Sequence, residues 1–475
     1  GKELRLTGNH PVLVFRPDCM FKWKRVDKLV LGDVLVNRLG GRTSTNLDLT
    51  FARTLAQDSW SYRTRKKTET LPSAMTPELA RILGYLTAEG SFVEGANRNT
   101  ITFSNTNQEL IDDFRNCWEA CFDFSPLGRT QVYGKDSRSI TDVVTTRSDL
   151  AIWFEAIGLK RGTAPTKEVP FSILESSSEA KAQFLRAFIE GDGYLSEGGV
   201  GGLEIKLASK LLVQQLQLLF ETLGIPSNVV QFVTGGYTGT NTYHSLRISD
   251  AADALALVGA VSKKRIAIIQ RMAARKLTKK NYVEGKLNRL PYVAAYVREK
   301  ELIIEGNGRF PQNVNGDCNP SLLESVLFSN DGAPDAERLR SLSKPKFVFD
   351  RVESITLYGT EPVYDMTTSA GEFVANGLVI HNCHQAVTDL EPPGSDMAEW
   401  RLAKGHGPLW KKWMVNCGLS PNRYDTRRNE EYMNTKQRDV LDQELDRFAD
   451  QLLDRKIILN NAPVPMSEIH IGDRL

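Results

Sequence analysis

The sequence has no run of about 18 consecutive apolar residues, which excludes a membrane-spanning helix. Nor does a basic stretch followed by an apolar one open it, so no secretory signal is read and the expected location is cytoplasmic. Cysteine is scarce. Cys19, Cys117, Cys121, Cys318, Cys383 and Cys417 contain no CxxC pair, so neither a zinc ribbon nor a disulfide framework is indicated. No charge of one sign dominates, since 60 Lys and Arg face 58 Asp and Glu. An initiator Met is missing as well, for the chain starts at Gly1. What remains is ordinary globular material, 25% charged and 41% hydrophobic, and 475 residues suffice for about three domains.

The near-balance of charge hides an uneven distribution. Between Ser262 and Leu290 ten Lys or Arg accompany a single acid, Glu284, and Arg63 to Lys67 form a second basic run. Each reads either as solvated surface or as a face for phosphates.

An internal repeat follows Pro77. Leu79, Ile82, Leu83 and Leu86 fall three or four apart, which predicts a helix with one apolar face ending in Ala88-Glu89-Gly90. About a hundred residues later Phe184 to Ile189 lead into Glu190-Gly191-Asp192-Gly193. Small residues four apart, Gly84 with Ala88 and Ala187 with Gly191, let two helices approach until their backbones nearly touch. Each then delivers one carboxylate, Glu89 or Asp192, to the same place. Two close carboxylates suit a divalent cation, and Mg²⁺ held by carboxylates and phosphate oxygens suits phosphodiester hydrolysis.

A second constellation ends the apolar run Gly377-Leu378-Val379-Ile380 with His381-Asn382-Cys383-His384. An asparagine amide can attack its own backbone carbonyl and cut the chain behind itself, a neighbouring imidazole can protonate the leaving amide, and a following thiol can receive an acyl group. The alternative is an Asn-Cys pair in an ordinary loop.

The flanking blocks decide between these. Glu361-Pro362-Val363-Tyr364-Asp365-Met366-Thr367 and Gly371-Glu372-Phe373-Val374-Ala375-Asn376-Gly377 resemble the C-terminal splicing blocks of inteins, and Leu6-Thr7-Gly8-Asn9-His10-Pro11-Val12 resembles the block whose Thr-x-x-His pair polarises the upstream scissile peptide. Ile82 to Gly90 and Leu185 to Gly193 resemble the signature helices of LAGLIDADG homing endonucleases. The resemblance implies an α+β multidomain chain. An all-β, horseshoe-shaped Hint splicing domain is split into residues 1–55 and 345–382. It is interrupted by a basic connector (56–76), an α/β LAGLIDADG endonuclease (77–290) and an irregular region (291–344).

It further implies splicing residues Thr7, His10, Asp365, His381, Asn382 and Cys383, needing no cofactor. The implied endonuclease residues are Glu89 and Asp192 as Mg²⁺ ligands, with Lys167 and Lys263 where the family carries a catalytic lysine. Either lysine can equally be read as solvated surface. The expected partners are double-stranded DNA at the insertion site, cut by a monomeric endonuclease, and an upstream segment bearing the family's first block, with no membrane. One departure is Gly371, where such families place a histidine, so proton transfer leans on His381 and Asp365.

After the junction, 383–475 reads as a mainly α segment of the interrupted host. Cys383-His384 and the later Gly405-His406-Gly407 resemble the end of the SprT-like zinc metallopeptidase motif, which makes His384 and His406 candidate Zn²⁺ ligands. They can also be unrelated surface histidines. The competing view of the whole is a non-catalytic LAGLIDADG-fold DNA-binding protein with degenerate splicing and nuclease sites.

Overall fold

The computed structural model describes residues 2–8, 10–41, 45–58, 71–94, 99–133, 138–197, 201–236, 239–249, 251–278, 289–302, 317–318, 320–340, 342, 347–359, 368 and 372–381. The elements in chain order begin with strands β1 (Pro11–Phe15), β2 (Phe21–Arg25) and β3 (Val34–Arg38), then helices α1 (Thr50–Asp58) and α2 (Pro77–Glu89). Next come β4 (Gly90–Glu94), β5 (Asn99–Asn105), α3 (Gln108–Cys121), β6 (Leu127–Tyr133), β7 (Arg138–Thr145), α4 (Ser148–Ala156) and the short α5 (Phe171–Leu174). A second series holds α6 (Ser178–Asp192), β8 (Gly193–Ser196), β9 (Gly202–Leu207), α7 (Lys210–Thr222), β10 (Asn228–Gly236), β11 (Gly239–Ser249), α8 (Ala251–Val258) and α9 (Lys263–Thr278). Helices α10 (Val293–Glu299), α11 (Pro320–Ser329) and α12 (Pro334–Arg340) precede β12 (Phe347–Arg351), β13 (Glu372–Ala375) and β14 (Leu378–His381).

Contacts divide the chain into two compact units; of the described residues, those between 39 and 278 fall in the first and those in 3–38 and 289–381 in the second. Helix α1 explains why the first division falls before 55: Leu49, Ala52 and Ala56 are fully buried in the core of the first unit, together with Leu71 and Met75. The described residues of the stretch 291–344 carry three helices. They run seven to ten residues, too short for their apolar spacing to stand out, yet Val293, Ala294, Tyr296, Leu323, Val326 and Leu339 are buried.

Within the first unit the order helix, hairpin, helix, hairpin, helix occurs twice, from α2 to α4 and from α6 to α8. Both sheets have the same topology, β4-β5-β7-β6 and β8-β9-β11-β10. The leading helices start alike. Thr76 Oγ1 accepts from the Leu79 amide at 3.2 Å and Ser177 Oγ from the Ala180 amide at 3.2 Å, each satisfying a donor the first turn would leave open. The predicted stripe of Leu79, Ile82, Leu83 and Leu86 is 0–4% exposed.

In the second unit one six-stranded sheet runs β12-β3-β1-β14-β13, with β2 on β1. Its strands come from the two extremes of the described chain. Val12 lies opposite Ile380, Leu35 opposite Asp350, and Leu378 opposite Asn37. Val12, Val14 and Ile380 form an apolar core on which Leu4, Leu6, Val26 and Phe373 pack. Phe15 adds rings at 5.1 Å to Phe21 and 4.8 Å to Phe349. Among the described residues no helix is long and apolar enough to cross a membrane.

Candidate active sites

The strand sheet brings one set of expected residues together. The Thr7–His10 turn is closed by the His10 amide donating to the Thr7 carbonyl at 3.1 Å, and it is tied down by the Asp27 amide on Gly8 O (2.7 Å) and the Val26 amide on His10 O (3.0 Å). Thr7 is exposed and His10 is buried at the entry to β1. Because Val12 faces Ile380, the end of β1 that starts beside His10 runs alongside the end of β14 that finishes at His381. The His381 ring stands edge-on to Trp23 at 4.9 Å, and His10 edge-on to Phe373 at 6.3 Å. Both imidazoles are therefore held by apolar walls at neighbouring strand ends.

A residue the sequence reading did not select stands there too. Glu372 is directly opposite His381 in the β13–β14 ladder, so the two side chains share a face roughly 5 Å apart at Cβ. It is buried, and its Oε2 has no hydrogen-bond partner among the described residues. Loss of hydration pushes its carboxyl from an ordinary 4.5 to about 7, against the pull of Arg38. In a strand that alternates apolar and polar residues, a glutamate normally reads as solvent-facing, and only the register exposes its role. Asp365, Gly371, Asn382, Cys383, His384 and His406 lie outside the described residues.

The second site sits where α2 and α6 cross. A Cβ on Gly84 would run into the Phe184 carbonyl oxygen and come within 3.0 Å of Ala187 Cβ. One on Gly191 would come 2.9 Å from Ala88 Cβ and 2.8 Å from Glu89 Cγ. The four small residues thus meet as their spacing predicts, and Glu89 lies over the backbone that leads into Asp192. Burial raises the Asp192 carboxyl to about 6, with Glu89 raising it further and Lys167 pulling it down. Among the described residues no cluster of three or more His, Cys, Asp or Glu forms.

Lys167 is at this site. Its Nζ donates to the carbonyl oxygens of Thr87 (2.9 Å), Ala88 (2.9 Å) and Gly90 (3.2 Å). Burial pulls its ammonium below the ordinary lysine range, while Asp192 and Glu89 support its charge. Lys263 is elsewhere, its side chain 91% exposed and 3.8 Å from a Glu109 oxygen. The cation at the end of α6 is Arg265. Its Nη2 donates to the carbonyls of Glu190 (3.1 Å) and Gly193 (2.7 Å), and its Nε meets Glu190 Oε2 at 3.1 Å.

A family model described as intein splicing domain matches residues 1–382. The chain is similar to the replication factor C small subunit of Methanocaldococcus jannaschii, 22% identical over 253 residues that make up 53% of this chain and 12% of that protein. It is likewise similar to the replicative DNA helicase DnaB of Rhodothermus marinus, 23% identical over 417 residues, 82% of this chain and 40% of that protein. It thus spans less than half the length of these curated relatives. Among solved structures, the crystal structure of I-DmoI in complex with DNA and Mn shares 13% identity and a TM-score of 0.28, covering 38% of this chain and 96% of that one.

Proposed function

The chain belongs to the family of intein splicing domains, and from that premise we propose that it is an autocatalytic splicing element carrying a nested DNA endonuclease, followed from Cys383 by part of an interrupted host protein. The observation that carries the splicing half is the meeting of His10 and His381, from opposite ends of the matched region, at adjacent strand ends. Their separation in sequence has no use in an ordinary loop. The relatives support an inserted element, since they bear unrelated names and the chain spans only part of each.

In the reaction, the Asn382 side-chain nitrogen attacks the Asn382 carbonyl carbon, a succinimide closes, and the bond to the Cys383 nitrogen breaks. That nitrogen leaves with a proton, and His381, adjacent in sequence and walled by Trp23, is the donor in reach. In full splicing the Cys383 thiol takes the upstream acyl group before Asn382 cyclises, and the upstream residue that held that acyl group leaves with the proton. Thr7 and His10 polarise the upstream peptide. Glu372, across the ladder from His381, stands where a carboxyl can hold or return the proton that the absent histidine at position 371 would have carried.

The endonuclease half rests on the duplicated unit and its converging acids. The fold implies a divalent cation, and the donors fit one: burial and the neighbouring Glu89 carboxylate raise the cost of ionising Asp192, a burden a dication would relieve. Glu89 and Asp192 would hold Mg²⁺ together with DNA phosphate oxygens, and the ion would stabilise charge building on the phosphodiester. Lys264, exposed on α9, and Arg271 and Arg275 further along it would contact the duplex backbone, a binding mode that weakens with salt. The SprT-like zinc peptidase remains the proposal for the host part, resting on His384 and His406.

Two assays on the intact chain test this. Mass spectrometry after long incubation is expected to find a fragment beginning at Cys383, and duplex DNA joining the host sequences on either side of the insertion is expected to be cut when Mg²⁺ is present. A chain that releases no such fragment refutes the splicing half. One that leaves the duplex whole refutes the endonuclease half.

A further inference from the structure

The cations beneath the two carboxylate-bearing helices repeat one another more closely than the sequence does. Superposing the copies by their acids matches Glu89 with Asp192, Thr87 with Glu190, and Gly90 with Gly193. Lys167 binds the carbonyls of Thr87 and Gly90, and Arg265 binds those of Glu190 and Gly193. Thr87 and Glu190 lie in the last turn, whose carbonyls a helix leaves without an amide, and Gly90 and Gly193 follow at the first residue of the next strand; a cation there is also favoured by the helix dipole. An ammonium owns three N–H donors and accepts nothing, and three carbonyls surround Lys167 Nζ within 3.2 Å. All its donors are spent on main chain, one of them on Ala88, the residue next to Glu89. None is left to offer a phosphate oxygen or a water.

The second copy adds a brace. The Glu190 carboxylate accepts from the amides of Val261 (2.6 Å) and Ser262 (3.0 Å) and from Ser262 Oγ (2.9 Å), and it pairs with Arg265 Nε. Thr87, its counterpart, instead donates its hydroxyl to Leu83 O within its own helix. A planar guanidinium, larger and less adaptable than an ammonium, is thereby anchored in the plane that reaches both carbonyls.

We infer that Lys167 and Arg265 are positioning residues, two versions of a clamp that closes the C-terminal turns of α2 and α6 and so aims Glu89 and Asp192, and that neither meets the DNA. This rests on the endonuclease reading above. A lysine that took part in the chemistry would be irreplaceable by arginine, whereas a clamp is replaceable by any cation that spans the carbonyls, as Arg265 already does.

The experiment compares the parent with Lys167→Arg, Lys167→Met, Arg265→Lys and Arg265→Met. It reads Mn²⁺ affinity by calorimetry without DNA, amide exchange of the segments 86–94 and 189–196, and the Mg²⁺ concentration that half-saturates cleavage of the joined duplex. The Met variants are expected to weaken Mn²⁺ roughly tenfold or more, as loss of a ligand's supporting partner does, and to speed exchange at the helix end they uncap. The Arg and Lys exchanges are expected to stay within about threefold of the parent in all three readings. Lys167→Arg cleaving as poorly as Lys167→Met overturns the inference, and so do Met variants with parental Mn²⁺ affinity. If Lys167→Met does not fold, Lys167→Gln, which keeps two donors, takes its place. Failure of the underlying reading looks different: Mn²⁺ affinity would then be unchanged in Glu89→Gln and Asp192→Asn.

Discussion

Glu372 in the strand sheet and Asp192 at the end of α6 are both acids that burial lifts above their ordinary range, to about 7 and about 6. Their company differs. Beside Glu372 the charged neighbour is Arg38, and the group across the ladder is an imidazole. Beside Asp192 stand a second carboxylate and a cation whose donors are already engaged. A lone buried carboxyl opposite a histidine exchanges a proton near neutral pH, which suits amide cleavage. Two carboxylates crowded together gain most from a metal ion, which suits phosphodiester chemistry. On the proposed function, one physical effect, desolvation of an acid, would thus serve two chemistries according to what is placed next to it.

The largest effect expected separates the two sites outright. Asn382→Ala should remove the fragment beginning at Cys383 from the mass spectrum altogether and leave DNA cutting at the parental rate. A cutting rate that falls with it would break the separation. In the converse experiment, Glu89→Gln or Asp192→Asn should reduce Mg²⁺-dependent cutting by more than the roughly 100-fold typical of outer-shell partners, while gel-shift binding and tail release persist. If either neutral variant cuts like the parent, the paired carboxylates are not the metal site.

A smaller pair of effects sharpens the second site. Gly84→Ala drives a methyl into the Phe184 backbone, which cannot swing aside, and overpacking of this kind should cost about 1–3 kcal/mol in denaturant unfolding. Gly191→Ala instead meets the Glu89 side chain, which can turn away, and Ala88 Cβ at 2.9 Å, which can move only with its helix. It should cost less stability than Gly84→Ala and depress cleavage, and a stability loss larger than that of Gly84→Ala would contradict this.

The smallest effect belongs to Glu372. Its folded-state carboxyl holds a proton more tightly than an unfolded one, so stability is undiminished below about pH 4.5 and declines as pH rises toward about 7. Glu372→Gln should remove that decline and stabilise the chain above pH 7. Unfolding curves whose pH dependence matches the parent's would show that the carboxyl is hydrated after all.

Much of the helix-pair site was legible because its logic is local. Gly84, Ala88, Ala187 and Gly191 declare a close approach by spacing alone, and Glu89 and Asp192 follow directly from them. Arg265 was not legible, for the loops between each acid and its cation differ in length, so no fixed offset leads from Lys167 to its counterpart and the neighbouring Lys263 attracted the assignment. Glu372 was hidden by alternation, which marks polar residues as outward unless the partner strand is known. Helix α1 was hidden by the charged stretch that follows it. Its Leu49, Ala52 and Ala56 are too few to show a period, and only the core they enter reveals where they belong.

The pairing of Val12 with Ile380 also sets a timetable. A ribosome emits these strands from opposite ends of the matched region, and β1 has no β14 to lie against until the entire intervening unit has been made. On the proposed function, self-cleavage at Asn382 would therefore wait until the whole intervening unit has been made. An element that left its host would then always take that unit with it.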